Sequence, residues 1–176
     1  GGVGASLALL GKQVLCLDGD VGLRNLDITL GMTDAALMDF SDVMAGRCDL
    51  SRAAVPHPTV SGLHLLTAPL TLPGDFPGEA GFQALLQQAR EAYDYVLIDS
   101  PAGLGPGFRL AVCGADRAIV VAVSDPSSLR DAQRVVTQLS QLETIHLVVN
   151  RVRPRLLRRQ NTTIDDAMDT AGLPLL

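Results

Sequence analysis

Tryptophan is absent from this 176-residue chain, and aromatic residues make up only 3% of it. Platforms on which nucleic-acid bases stack need several rings and are not expected. Positive charge is scarce as well. There are 14 Lys and Arg against 19 Asp and Glu, a net charge of −5, and Lys12 is the only lysine. A chain that coats a nucleic-acid backbone needs the opposite balance, so no nucleic-acid partner is expected. The three cysteines, Cys16, Cys48 and Cys113, form neither a CxxC nor a Cys/His pair. That spacing argues against a zinc site and against a disulfide framework, and fits reduced, mostly buried thiols in a cytoplasmic protein. No apolar run approaches the roughly 20 residues of a membrane span. No charged segment followed by an apolar stretch opens the chain.

What is present is a hydrophobic fraction of 47% against 19% charged. That composition supports a core, and the length suits one domain better than two. Short apolar runs recur at Gln13–Asp18, Leu63–Thr67, Tyr95–Asp99, Ala118–Val123 and Ile145–Asn150. They are continuous rather than alternating, which marks strands buried on both faces of a parallel sheet. Helical patterns lie between them. Phe82, Leu85, Leu86 and Ala89 share one face of a helix over Gly81–Tyr93. Leu129, Ala132, Val135, Val136 and Leu139 do the same over Ser127–Leu142, behind the cap signal Ser124-Asp125-Pro126. Asp39–Ala45 and Thr163–Ala171 are weaker helices, and Thr67–Gly81, with three prolines, reads as a loop. The alternation predicts an α/β domain with a doubly wound, mostly parallel sheet and helices on both faces.

Such sheets bind ligands beyond the C-terminal ends of their strands. Three runs end in polar residues: Asp18-Gly19-Asp20, Asp99-Ser100 and Asn150-Arg151. A carboxylate in that position serves either a site or the cap of the next helix, and Asn150 either binds or forms a turn. The chain opens Gly1-Gly2-Val3-Gly4, a density of glycine that suits a phosphate cradle or, equally, a tight turn. No Lys-Ser/Thr pair follows it. From Ala5 to the first strand only about seven residues remain, against the roughly 10–12 a parallel crossover needs. A missing segment between Gly4 and Ala5 is therefore expected, with a further strand missing before Gly1.

Gly1–Gly4 resembles the middle of the deviant Walker A loop of the ParA/MinD family of P-loop ATPases. Asp18–Asp27 (DGDVGLRNLD) resembles the switch I segment of the MinD branch. Asp99–Gly103 (DSPAG) resembles its Walker B and switch II segment, and Asp125–Arg134 and Asn150–Pro154 are similar to it as well. The interval from Gly4 to Asp18 is shorter than the family's by about nine residues, and the chain stops before the family's C-terminal membrane-binding helix.

The resemblance implies an ATPase that binds ATP or ADP with Mg²⁺. Gly1, Gly2, Val3 and Gly4 would hold phosphates. Asp99 would orient Mg²⁺ through a water, with Asp18 as a further metal-side partner. Asp20 would place the attacking water. Asn150 would read the adenine edge, with Arg151 beside the base. It also implies an ATP-dependent homodimer, MinC- and MinE-type division partners, and a cytoplasmic protein held peripherally at the membrane when ATP is bound. A ParA-like or flagellar-placement ATPase, and a non-hydrolysing scaffold, remain as alternatives. The arginines at 151, 153, 155, 158 and 159 read as a solvated loop or as a patch for anionic headgroups or an acidic partner. His57, His64 and His146 read as structural or surface residues.

Overall fold

The computed structural model describes residues 1–155, 157 and 163–173. The chain divides into two units, Gly1–Gly114 and Ala115–Leu176.

The first unit is built on a four-stranded sheet of order β2-β3-β1-β4. β1 (Val14–Asp18) runs parallel to β3 (Leu63–Leu66) and to β4 (Tyr95–Asp99), and the short β2 (Val55–Pro56) is antiparallel to β3. Strand side chains alternate between faces, and both faces of β1 are covered. Leu15 and Leu17 join Phe40, Phe82, Leu85 and Leu86 from α3 (Phe40–Met44) and α5 (Gly78–Ala92). Val14 and Cys16 join Ala8, Leu26 and Leu30 from α1 (Gly2–Leu9) and α2 (Leu26–Leu30). The rings of Phe40 and Phe82 meet edge-to-face at 5.5 Å, worth about 0.5–1.5 kcal/mol beyond the area they bury. α3 starts where Asp39 accepts from the Ser41 and Asp42 N–H groups and Asp42 returns a bond to the Asp39 N–H. The unit also holds α4 (Leu50–Ala53) and α6 (Pro106–Val112).

The glycine start is a helix, not a loop. α1 runs through Gly4 and Ala5 without interruption, and Ala5 N–H donates to Gly1 O at 3.2 Å across the expected break. Gly4 is buried because the helix lies close on the sheet. A Cβ at this position would sit 2.6 Å from Cys16 Sγ, 3.3 Å from Leu97 Cδ1 and 3.4 Å from Leu63 Cδ1. α1 packs on the sheet and turns into β1, with Gly11 at φ +83° after its end.

The second unit holds a two-stranded parallel sheet, β5 (Arg117–Val123) with β6 (Thr144–Asn150), in register from Arg117↔Thr144 to Val123↔Asn150. α7 (Pro126–Gln138) packs on β5, and α8 (Ile164–Ala171) on β6 and α7. Asp125 caps α7 through the N–H groups of Ser127 and Ser128, at 3.1 and 3.0 Å, behind a proline in the first turn. α7 ends before Leu142, in a turn closed by Leu142 N–H to Leu139 O. Burial on both faces holds for β1 but not for β4, β5 or β6: Ile119 and Val121 are 42% and 61% exposed. Among the described residues, β4 is an edge strand of its sheet, and β5 pairs with β6.

Candidate functional site

β1 and β4 end level with each other, with Asp18 opposite Asp99. Gly19 N–H donates to Asp99 O at 2.9 Å just past the paired residues. Asp18 then folds back into its own loop. Its Oδ1 accepts from Asp20 N–H at 2.9 Å and its Oδ2 from Leu26 N–H at 3.1 Å. Leu26 is the first residue of α2, and Asn25, which holds the capping position, makes no side-chain capping bond. The cap comes from eight residues upstream. Asp18 is 1% exposed. Burial pushes its carboxyl up from the ordinary value, the two backbone N–H groups oppose this, and the charges of Asp99 and Asp20 add to the rise. Both of its oxygens are thus engaged with backbone N–H groups, one of them that of Asp20.

The loop between Asp18 and Leu26 is tied down along its length. Gly22 N–H reaches Pro69 O at 3.1 Å, and Arg24 N–H reaches Asp20 O at 3.2 Å. Gly22 and Arg24 both adopt positive φ, +94° and +47°, a backbone that costs a non-glycine residue about 1 kcal/mol or more. Asp20 is thereby fixed by its neighbours on both sides. It borders a cavity of about 270 Å³, lined also by Gly19, Pro101, Ala102, Gly107 and Phe108.

The carboxylates of Asp20 and Asp99 have no hydrogen-bond or ion-pair partner among the described residues, and Asp99 is exposed. No group of three or more His, Cys, Asp or Glu that could cage a metal occurs among those residues. Magnesium does not need one; it is held by one or two carboxylates, with phosphate oxygens and waters filling the octahedron. A free carboxylate at a strand end beside a second one on the cavity fits that donor set. Gly1 is the N-cap of α1 and Gly2, Val3 and Gly4 form its first turn, where backbone N–H groups lack an acceptor within the helix; none of the four lines this cavity.

Asn150 and Arg151 end β6 in the second unit, and both are exposed. Asn150 Oδ1 accepts the Arg151 N–H at 2.8 Å, and Arg151 has φ +51°. Asn150 therefore shapes a turn, and its amide nitrogen stays available. Arg153 and Arg155 are exposed; Arg158 and Arg159 lie outside the described residues. His57 Nε2 lies 3.0 Å from Leu30 O, and the Nδ1 atoms of His64 and His146 are buried without a partner. The wall formed by Gly105–Phe108 was not foreseen. Its signal was Gly105-Pro106-Gly107, which reads as a breaker although proline suits a first helical turn.

A family described as "AAA domain" matches residues 2–155. Septum site-determining protein MinD of Synechocystis sp. is 38% identical over 177 residues, which cover 99% of this chain and 66% of the relative. The protein of that name from Bacillus subtilis is 38% identical over 179 residues, covering 99% and 67%. Among solved structures, the MinC:MinD cell division protein complex of Aquifex aeolicus superposes with a TM-score of 0.88 at 34% identity, over 98% of this chain and 70% of that one. MinD complexed with Mg-ADP from Pyrococcus horikoshii gives 0.80 at 26% identity, over 98% and 70%. The chain spans about two thirds of the length of the curated relatives it matches. Among the described residues, no helix is long and apolar enough to cross a membrane.

Proposed function

This chain belongs to the family of septum site-determining MinD proteins, and from that premise we propose that it carries the carboxylate side of an ATPase site that drives a dimerisation switch in placing the division septum. The observation that carries the reading is the level ending of β1 and β4. It sets Asp99 beside the loop in which Asp18 fixes Asp20 at the cavity.

Phosphoryl transfer asks a protein mainly for alignment and charge neutralisation. Mg²⁺ bound with the nucleotide supplies neutralisation of the phosphate charge, and Asp99 is the residue that would hold it. Asp20, with both carboxylate oxygens free, orients the attacking water and accepts its hydrogen bond. Asp18 keeps Asp20 from swinging away. The amide nitrogen of Asn150 and the Arg151 guanidinium are the groups proposed for the adenine edge. The cradle for the phosphates is assigned to none of the described residues. A non-hydrolysing scaffold stays as the second reading, because Ala5 follows Gly4 directly within α1 and no Lys-Ser/Thr pair follows the glycines.

The similar Aquifex aeolicus structure is a MinC:MinD complex, and a MinC-type partner is proposed here too. The loops after β1, β3 and β4 each expose a leucine, Leu23, Leu70 and Leu104. Apolar side chains gathered around a site are suited to cover by a partner, and a second copy of this chain is the proposed one. The switch then works by population shift: the terminal phosphate favours the paired state and its loss releases it. A MinE-type partner and peripheral membrane attachment in the ATP state belong to the same proposal.

Calorimetric titration of the full-length protein with ATP, with and without Mg²⁺, paired with phosphate release, tests the reading. Binding should need Mg²⁺ and turnover should be slow. Asp99→Ala should weaken the Mg²⁺-dependent binding by about tenfold or more. No ATP binding by the wild type overturns the function, and an unaltered magnesium titration in Asp99→Ala overturns the role of that residue.

A further inference from the structure

Gly107 is the second residue of α6, behind Pro106. A Cβ at this position would lie 2.8 Å from Cγ of Pro101, closer than real contacts of this kind allow. Both residues line the cavity that Asp20 borders, and Pro101 comes two residues after Asp99. Alanine would suit the helix better than glycine, and the φ of Gly107 is not positive. Glycine is therefore present for the close approach of the prolyl ring. That ring has no long side chain to swing aside. A methyl group at 107 must displace either the backbone at Pro101 or the whole of α6. Little else holds the segment between Asp99 and Gly105. Ser100 Oγ bonds only to the adjacent Pro101 O, at 3.3 Å, and Gly103 adopts φ +85°.

We propose that Gly107 is a positioning residue: the space left by its absent side chain seats Pro101 against α6 and sets the gap between Asp20 and the loop that follows Asp99. The catalytic part of this inference rests on the ATPase reading above; the packing part does not.

The test compares wild type, Gly107→Ala, Pro101→Ala and the double variant in the full-length protein. It measures phosphate release over a range of ATP concentrations and amide hydrogen exchange over residues 100–105. Gly107→Ala should lower kcat by about tenfold to a hundredfold, the scale of a small misplacement in a transfer site, and KM should change far less. It should also speed exchange over 100–105. In the Pro101→Ala background the same change should add nothing, because Cβ of residue 101, 3.8 Å away, is an ordinary contact. Equal losses in both backgrounds, or unchanged kcat and exchange in Gly107→Ala, overturn the proposal. A wild type that releases no phosphate overturns the ATPase reading instead. The exchange data then decide the packing: acceleration confined to the Pro101 background supports it, and none overturns it.

Discussion

Replacing Gly4 by alanine separates two accounts of the glycine-rich start. In the structure the new methyl group would meet Cys16 Sγ at 2.6 Å, a distance at which something must move. Leu97 and Leu63 stand at 3.3 and 3.4 Å and must also yield slightly. Overpacking of this kind costs about 1–3 kcal/mol. Alanine returns about 0.5–1 kcal/mol to the helix. Taken at their centres these leave a net loss of about 1.25 kcal/mol, and at roughly 2–4 °C per kcal/mol for a chain of this size Tm should fall by about 2.5–5 °C. The urea midpoint should fall with no change of slope. Adding Cys16→Ala removes the sulfur that the methyl group meets, so the double variant should recover most of the loss. ATP affinity should stay at the wild-type value throughout. An unchanged Tm together with lost ATP binding would refute the packing argument and return Gly4 to the phosphates.

Asp20→Ala should leave ATP binding intact and slow phosphate release by about a hundredfold or more, the scale for losing a positioned acid–base group; unchanged turnover removes Asp20 from the mechanism. Asp18 gives a pH test. Burial raises its carboxyl above the ordinary value of 3.8. The folded protein therefore holds that proton more tightly than the unfolded chain does. This contribution to stability is complete below about pH 3.8 and is lost as pH rises through the raised folded value. Asp18→Asn has no such proton, so its Tm should fall less steeply over that window. Parallel curves of Tm against pH for the two proteins would show that Asp18 is not the group responsible.

The apolar runs match the strands β1, β3, β4, β5 and β6, because a short apolar run with a polar end suits a parallel strand even where, as in β4, β5 and β6, both faces are not buried. α5 and α7 are legible from periodicity, α7 also from its cap signal, and α3 and α8 as weaker helices. α1 and α6 are not, and for one reason. Both carry glycine near their start, which in a sequence signals a turn and in this fold serves close packing. Gly4 makes room for Cys16 on the facing strand, and Gly107 for Pro101 on a loop six residues back. Neither partner can be guessed from local spacing. Asp18, Asp20 and Asp99 could be singled out because strand ends are where an α/β sheet presents polar groups. Their division of labour could not, since it depends on which oxygen faces which N–H.

Asp18 shows why a capping role and a role in the site are not competing explanations of a carboxylate. One oxygen ends at the first N–H of α2 and the other at the N–H of Asp20, so a single buried group fixes both at once. Leu26 and Leu30 of α2 are packed on the sheet with Val14 and Cys16. The core therefore holds α2, α2 holds the carboxylate, and the carboxylate holds Asp20. Loss of Asp18 would leave two N–H groups without their acceptor, at about 1–3 kcal/mol for each that stays buried. Rotation of the Asp20 side chain costs less, because its carboxylate has no protein partner among the described residues to lose. The backbone at Asp20 therefore stays held by Asp18 and Arg24 while its carboxylate is left to respond to what lies in the cavity.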